Sequence, residues 1–185
     1  MAEKKHVSFI KDETQATILR EWHNNLSRGS RAELKRCKTP EEVAILGSFH
    51  ELRFKLMPTA FIPNLERLAL VAGLSAHIKP GLNNSSQSIG RQMAGNKQGS
   101  TTEIVSELRF RRLLAIGNVV NSPNDPIDAD FSTNSLELYR TMIRIIRMLN
   151  GECNLTSLAN SVYWWNSKTK IELATDYFEM SASQK

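Results

Sequence analysis

Helix start signals recur along the whole chain, and no window alternates apolar and polar residues over the length of a strand. That combination restricts the chain to an all-α fold. Thr14 to Leu26 carries Ala16, Leu19, Trp22, His23 and Leu26 at helical spacing. Ser30 with Glu33, and again Ser48 with Glu51, match the box in which a hydroxyl and a carboxylate satisfy the first amides of a helix. Thr39, Pro40, Glu41 and Glu42 offer a cap, a first-turn proline and first-turn acids. Pro63 can open the next helix, which runs through Leu65, Leu68, Ala69 and Ala72 toward Ile78. A short helix is predicted over Ser88–Ala94, and Ser100 or Ser106 can cap the one holding Leu108, Leu113 and Leu114. Three more are predicted over Leu136–Leu149, Leu155–Trp165 and Thr169–Glu179.

The breaks fall where glycine, proline and asparagine gather: Lys79–Ser86, Gly95–Ser100 and the acidic stretch Asn118–Asn134. For a chain of 185 residues the expectation is two small helical bundles, about eight to ten helices, in one compact chain. The expected division is a flexible N-terminus over 1–13, an N-terminal lobe over 14–96, a C-terminal lobe over 97–180 and a flexible tail over 181–185.

Several chemistries lack their residues. His6, His23, His50 and His77 do not stand in metal-ligand spacing with another His, Cys or carboxylate. Ser88–Arg91 and Gly95–Gly99 lack the Lys-Ser/Thr ending of a nucleotide cradle. Asp125, Asp128 and Asp130 lack the glycine and distal glutamate of a calcium loop. Neither Cys37 nor Cys153 has a histidine near it in sequence, and reduced thiols are expected. No enzyme, cofactor or metal site is predicted. The first eleven residues lack the apolar core of a signal peptide, and Leu65–Ile78 is too short and too charged to span a bilayer. A cytoplasmic protein with no membrane partner is expected.

What the chain does have is positive charge, and it is uneven. The net charge is +5, split as +3 over residues 1–60, +4 over 61–117 and −2 over 118–185. Arg140, Arg144 and Arg147 share one helical stripe, opposite the apolar stripe of Leu138, Met142, Ile145, Ile146 and Leu149. Arg109, Arg111 and Arg112 crowd one short helix, one of them within reach of Glu103 or Glu107. Phe110 between them reads as core. Arg91 and Lys97 flank a flexible, amide-rich loop suited to a sugar–phosphate path. Guanidinium forks bind phosphate bidentately, so these residues point to a nucleic-acid backbone. The alternative for each is a solvated basic face. That alternative is stronger for Arg28, Arg31, Lys35, Arg36 and Lys38, which lie among Glu33, Glu41 and Glu42. Of Trp164 and Trp165, adjacent on a helix, one should be buried and the other free to meet a neighbour.

Three landmarks resemble one family. Arg20-Glu-Trp22 followed by Ser30–Arg36 is similar to the amino-terminal signature of the CasB family, the small subunit of the type I-E Cascade CRISPR complex. Ser88–Arg91 with Ser106–Leu114 resembles its central motif, and Trp164-Trp165 with Ala174–Phe178 its carboxyl-terminal end. The resemblance implies a non-catalytic all-helical subunit in two stacked copies, head to tail, beside the backbone and large subunits. It implies a basic groove that steadies guide RNA, target DNA and the displaced single strand. By motif, Arg91, Arg109, Arg111 and Arg112 become contact candidates. Lys97, Arg140, Arg144 and Arg147 rest on charge alone. A free-standing helical DNA-binding regulator is the alternative.

Overall fold

Residues 68 to 75 are buried on every side. A helix that is apolar all round has to sit at the centre of its neighbours, and this one does. In a computed structural model, residues 12–59, 64–119 and 131–184 are described, without the side chains of 131 and 132. Pro63, His6, Pro123, Pro126, Asp125, Asp128 and Asp130 lie outside the described residues.

Ten helices are found among the described residues, and no strand. They are α1 (Glu13–Asn25), α2 (Arg28–Arg36), α3 (Pro40–Ala44), α4 (Gly47–Leu56), α5 (Leu65–Ser75), α6 (Ile89–Ala94), α7 (Glu107–Leu114), α8 (Phe131–Met148), α9 (Leu155–Tyr163) and α10 (Ser167–Ser183). The expected all-helical architecture holds. α5 is the hub and touches α2, α3, α4, α8 and α9. The closest pairing outside that hub is α6 against α10.

Two helical glycines permit close approaches between helices. A Cβ on Gly73 of α5 would lie 2.6 Å from the Tyr139 hydroxyl of α8 and 2.9 Å from Val43 of α3. A Cβ on Gly90 of α6 would lie 2.9 Å from the backbone carbonyl of Leu173 in α10. The core runs through all these helices and includes Trp22, Phe49, Phe110, Tyr139, Tyr163, Trp165 and Tyr177. Trp165 is buried and Trp164 only partly so, as expected of the pair, but α9 ends at Tyr163 and both lie past it, off the expected helix.

Several caps are where the sequence puts them. Thr39 accepts the amide of Glu42, and Ser88 accepts that of Arg91. Two are not. α2 begins before Ser30, because Ser27 reaches the Ser30 amide at 3.0 Å and draws Arg28 and Gly29 into the first turn. α4 begins before Ser48, because only Ile45 and Leu46 separate it from α3 and the chain re-enters helix at Gly47. Ser48 instead gives its carbonyl to the Trp22 indole at 3.1 Å. At the other end of the chain, α8 starts ahead of Leu136, and α10 runs past Glu179 to Ser183.

Candidate nucleic-acid interface

α7 is held in rotation by its two buried residues, Phe110 and Leu113. Phe110 lies flat on Tyr177 of α10, with ring centroids 4.0 Å apart and planes within 6°. Leu108, Arg109, Arg111 and Arg112 are thereby turned outward and exposed. Arg111 pairs with Glu107 one turn back at 2.6 Å, the internal pairing expected for one of the three. Arg109 and Arg112 have no ion-pair partner among the described residues.

Arg91 is placed differently from an open contact. The close approach at Gly90 brings α10 alongside, and Arg91 lies 2.7 Å from Glu179 and 3.7 Å from Asp176. Its charge is offset by residues more than eighty positions away in sequence, which no local spacing announces. Lys97 is exposed on the loop that follows, where its backbone amide donates to Thr102 at 3.0 Å.

On α8, Leu138, Met142, Ile145 and Ile146 are buried, as is Leu149 just past its end, while Arg140, Arg144 and Arg147 are exposed. The two stripes of the sequence are both present. Arg140 and Arg144 edge a shallow hollow of about 330 Å³ with Glu137 and Thr141. None of the three arginines is ion-paired among the described residues. The helix ends in a left-handed turn, Asn150 at φ 59° and Gly151 at φ 73°. The Gly151 amide reaches back to Ile146 at 2.9 Å, the bonding of a Schellman cap. The Gly151 carbonyl then accepts the backbone amide of Lys79 at 2.9 Å.

This turn assembles a group of cations that sequence spacing does not reveal. His77 and Lys79 come from the loop after α5, Arg147 from the end of α8 and Lys35 from α2. The His77 pKa is pushed down to about 4, first by burial and then by Arg147 and Lys35, so its imidazole is neutral near pH 7. Lys35, Lys79 and Arg147 are exposed and not ion-paired among the described residues. Lys35 belongs to the basic run that its acidic neighbours seemed to neutralise along the chain. In the fold it forms no ion pair with them. Arg31, from the same run, turns inward. It donates to the carbonyls of His23 and Ile78, the latter at 3.2 Å, and fastens α2 to the loop that carries His77. The two arginine sets thus sit on helices with different neighbours: α7 on α10, and α8 on α3 and α5.

The two thiols are tuned away from nucleophilic chemistry. Burial pushes the Cys153 thiol well up, and burial with Glu42 and Glu33 does the same to Cys37. Both thiols are free. His23 is buried among Arg31, Ile78 and Asn83, and burial with the Arg31 charge lowers its pKa. Among the described residues no three His, Cys, Asp or Glu side chains are grouped to hold a metal ion. No helix among them is long and apolar enough to cross a membrane.

No curated protein sequence matches the chain. A chain in the crystal structure of E. coli Cascade bound to a PAM-containing dsDNA target has a similar fold, with TM-score 0.60 at 17% identity. The match covers 93% of this chain and 99% of that one. The family described as CRISPR-associated protein Cse2 matches residues 30–178, which takes in the central and carboxyl-terminal landmarks and the Ser30–Arg36 stretch. On that match the chain belongs to the CRISPR-associated Cse2 family, the Cse2/CasB small subunits.

Proposed function

We propose that this chain is a non-catalytic small subunit of a type I-E Cascade assembly. In this reading it holds the guide RNA–target DNA hybrid and the displaced strand by their phosphates. Its partners are those nucleic acids, the backbone and large subunits, and a second copy of itself. The cytoplasm is where such an assembly would meet its target. The observation that carries the reading is the group Lys35, Lys79 and Arg147 around a neutral His77: three exposed cations that no described carboxylate pairs. Arg144, Arg140, Arg109 and Arg112 extend the same surplus over α8 and α7.

Charge of this kind reads shape and not sequence. A guide–target hybrid is about as stable as the DNA duplex it replaces, so modest backbone contacts decide whether strand exchange stays open. Each phosphate neutralised on a duplex releases counterions and adds roughly 0.9 to the slope of log affinity against log salt.

The test replaces Lys35, Lys79 and Arg147 together with Gln in the reconstituted assembly. The salt slope of target binding should fall by about 2 to 3, and affinity at low salt should drop while guide RNA remains loaded. An unchanged slope overturns the reading. Strong sequence preference by the isolated chain for one duplex would favour a free-standing DNA-binding regulator instead.

A further inference from the structure

A groove of about 720 Å³ runs between α9 and α10, on residues the basic surface does not use. One wall runs from Thr156 of α9 to Trp164 just past its end, and the other is α10 from Lys168 to Asp176. Eight residue steps on each wall give a length of about 12 Å, which matches roughly four residues of extended chain. The lining is rich in hydroxyls and amides: Ser86, Thr156, Ser161 and Asn166 among them. Hydroxyls both donate and accept, which suits the alternating amides and carbonyls of a polypeptide backbone.

Charge argues against a nucleic-acid strand. The lining holds two carboxylates, Glu172 and Asp176, against one cation, Lys168, which is 4.0 Å from Glu172. Asp176 also lies 3.7 Å from Arg91, and on the other wall Arg20 donates to Thr156 at 3.3 Å while paired with Glu13. The groove itself is therefore net negative, unlike α7, α8 and the Lys35 group. Trp164, a side chain of the kind that proteins bury, lines the groove while only partly buried. Partly exposed aromatic anchors in a polar surround characterise protein interfaces.

We propose that the α9–α10 groove is the docking site for an extended, Lys- or Arg-bearing segment of another protein subunit of the assembly. The segment's backbone bonds to the hydroxyls, its cation faces Glu172 and Asp176, and an apolar side chain covers Trp164. This rests on the chain being an assembly subunit.

The experiment places a benzophenone-bearing amino acid at position 161 of the full chain, reconstitutes the assembly with its guide RNA, and irradiates it. The expected product is a covalent adduct with another protein subunit, mapped by mass spectrometry to a segment containing Lys or Arg. An adduct with nucleic acid, an adduct with a second copy of this chain, or no adduct from an intact assembly overturns the docking site. In parallel, Glu172→Lys, at an exposed position, should lower the chain's affinity for the rest of the assembly about tenfold, a change of about 1.4 kcal/mol. Unchanged affinity also overturns it. Failure of the wild-type chain to enter the assembly at all would sink the subunit reading, a result distinct from entry without a protein adduct.

Discussion

Tyr177 donates a 2.7 Å hydrogen bond to the backbone carbonyl of Val105 while its ring lies on Phe110. One residue of the last helix thus fixes both the entry to α7 and the rotation of α7 itself. The outward direction of Arg109 and Arg112 depends on that hold.

Tyr177→Phe keeps the ring and removes the donor. It leaves a buried carbonyl unpaired, so unfolding free energy should fall by about 1–3 kcal/mol. Urea denaturation checks this. An unchanged midpoint would mean that the hydroxyl contributes nothing to holding α7.

Gly90 and Gly47 should respond in opposite directions to the same change. A methyl at Gly90 meets the Leu173 carbonyl at 2.9 Å, and backbone cannot step aside as a flexible side chain would. Gly90→Ala should cost about 1–3 kcal/mol by forcing α6 from α10. Gly47, in the first turn of α4, has nothing within 4 Å. There Gly47→Ala should stabilise by about 0.4–1 kcal/mol through the unfolded chain. Thermal unfolding of the two variants side by side separates these outcomes.

The arginines of the α6–α7 region should not count equally. Arg91 and Arg111 already face carboxylates, whereas Arg109 and Arg112 do not. Arg109→Ala with Arg112→Ala should weaken nucleic-acid binding by the assembly several-fold more than Arg91→Ala with Arg111→Ala. Each freed arginine should also account for about 0.9 of salt slope when it meets a duplex phosphate. Titrations at several salt concentrations give both quantities, and equal losses would show that the internal ion pairs open when phosphate arrives.

His77 makes stability depend on pH. Its folded pKa, about 4, lies below the ordinary 6.5, so the unfolded chain takes up the proton first as pH falls. The stability it contributes is complete above pH 6.5 and is lost progressively between 6.5 and 4. His23 is shifted in the same direction, so the informative quantity is the difference between wild type and His77→Gln. Over that window the variant should lose stability less steeply in urea titrations. Parallel curves would show that His77 titrates alike in the folded and unfolded chain.

The helices were legible because apolar periodicity and caps are local, and the stripe of α8 follows from spacing alone. Starts were less so where two serines competed. Either Ser27 or Ser30 can accept a first-turn amide, and in the fold Ser27 does. The charge balance was the least legible part. Whether Arg91 is free depends on Asp176 and Glu179, which sequence places at the far end of the chain. Whether Lys35 is neutralised depends on which way α2 faces. Its acidic sequence neighbours suggested cancellation, and in the fold it pairs with none of them.

The bond from Lys79 to Gly151 has a mechanical consequence. Because it ties the loop bearing His77 and Lys79 to the end of α8, the separation between those positions and Arg147 is settled when the chain folds. Ligand binding then has little backbone left to order, and less of the gross attraction is lost to entropy. A pattern of charge with fixed spacing acts as a gauge: it favours a polyanion whose own repeat matches and gives less to one that must bend to fit.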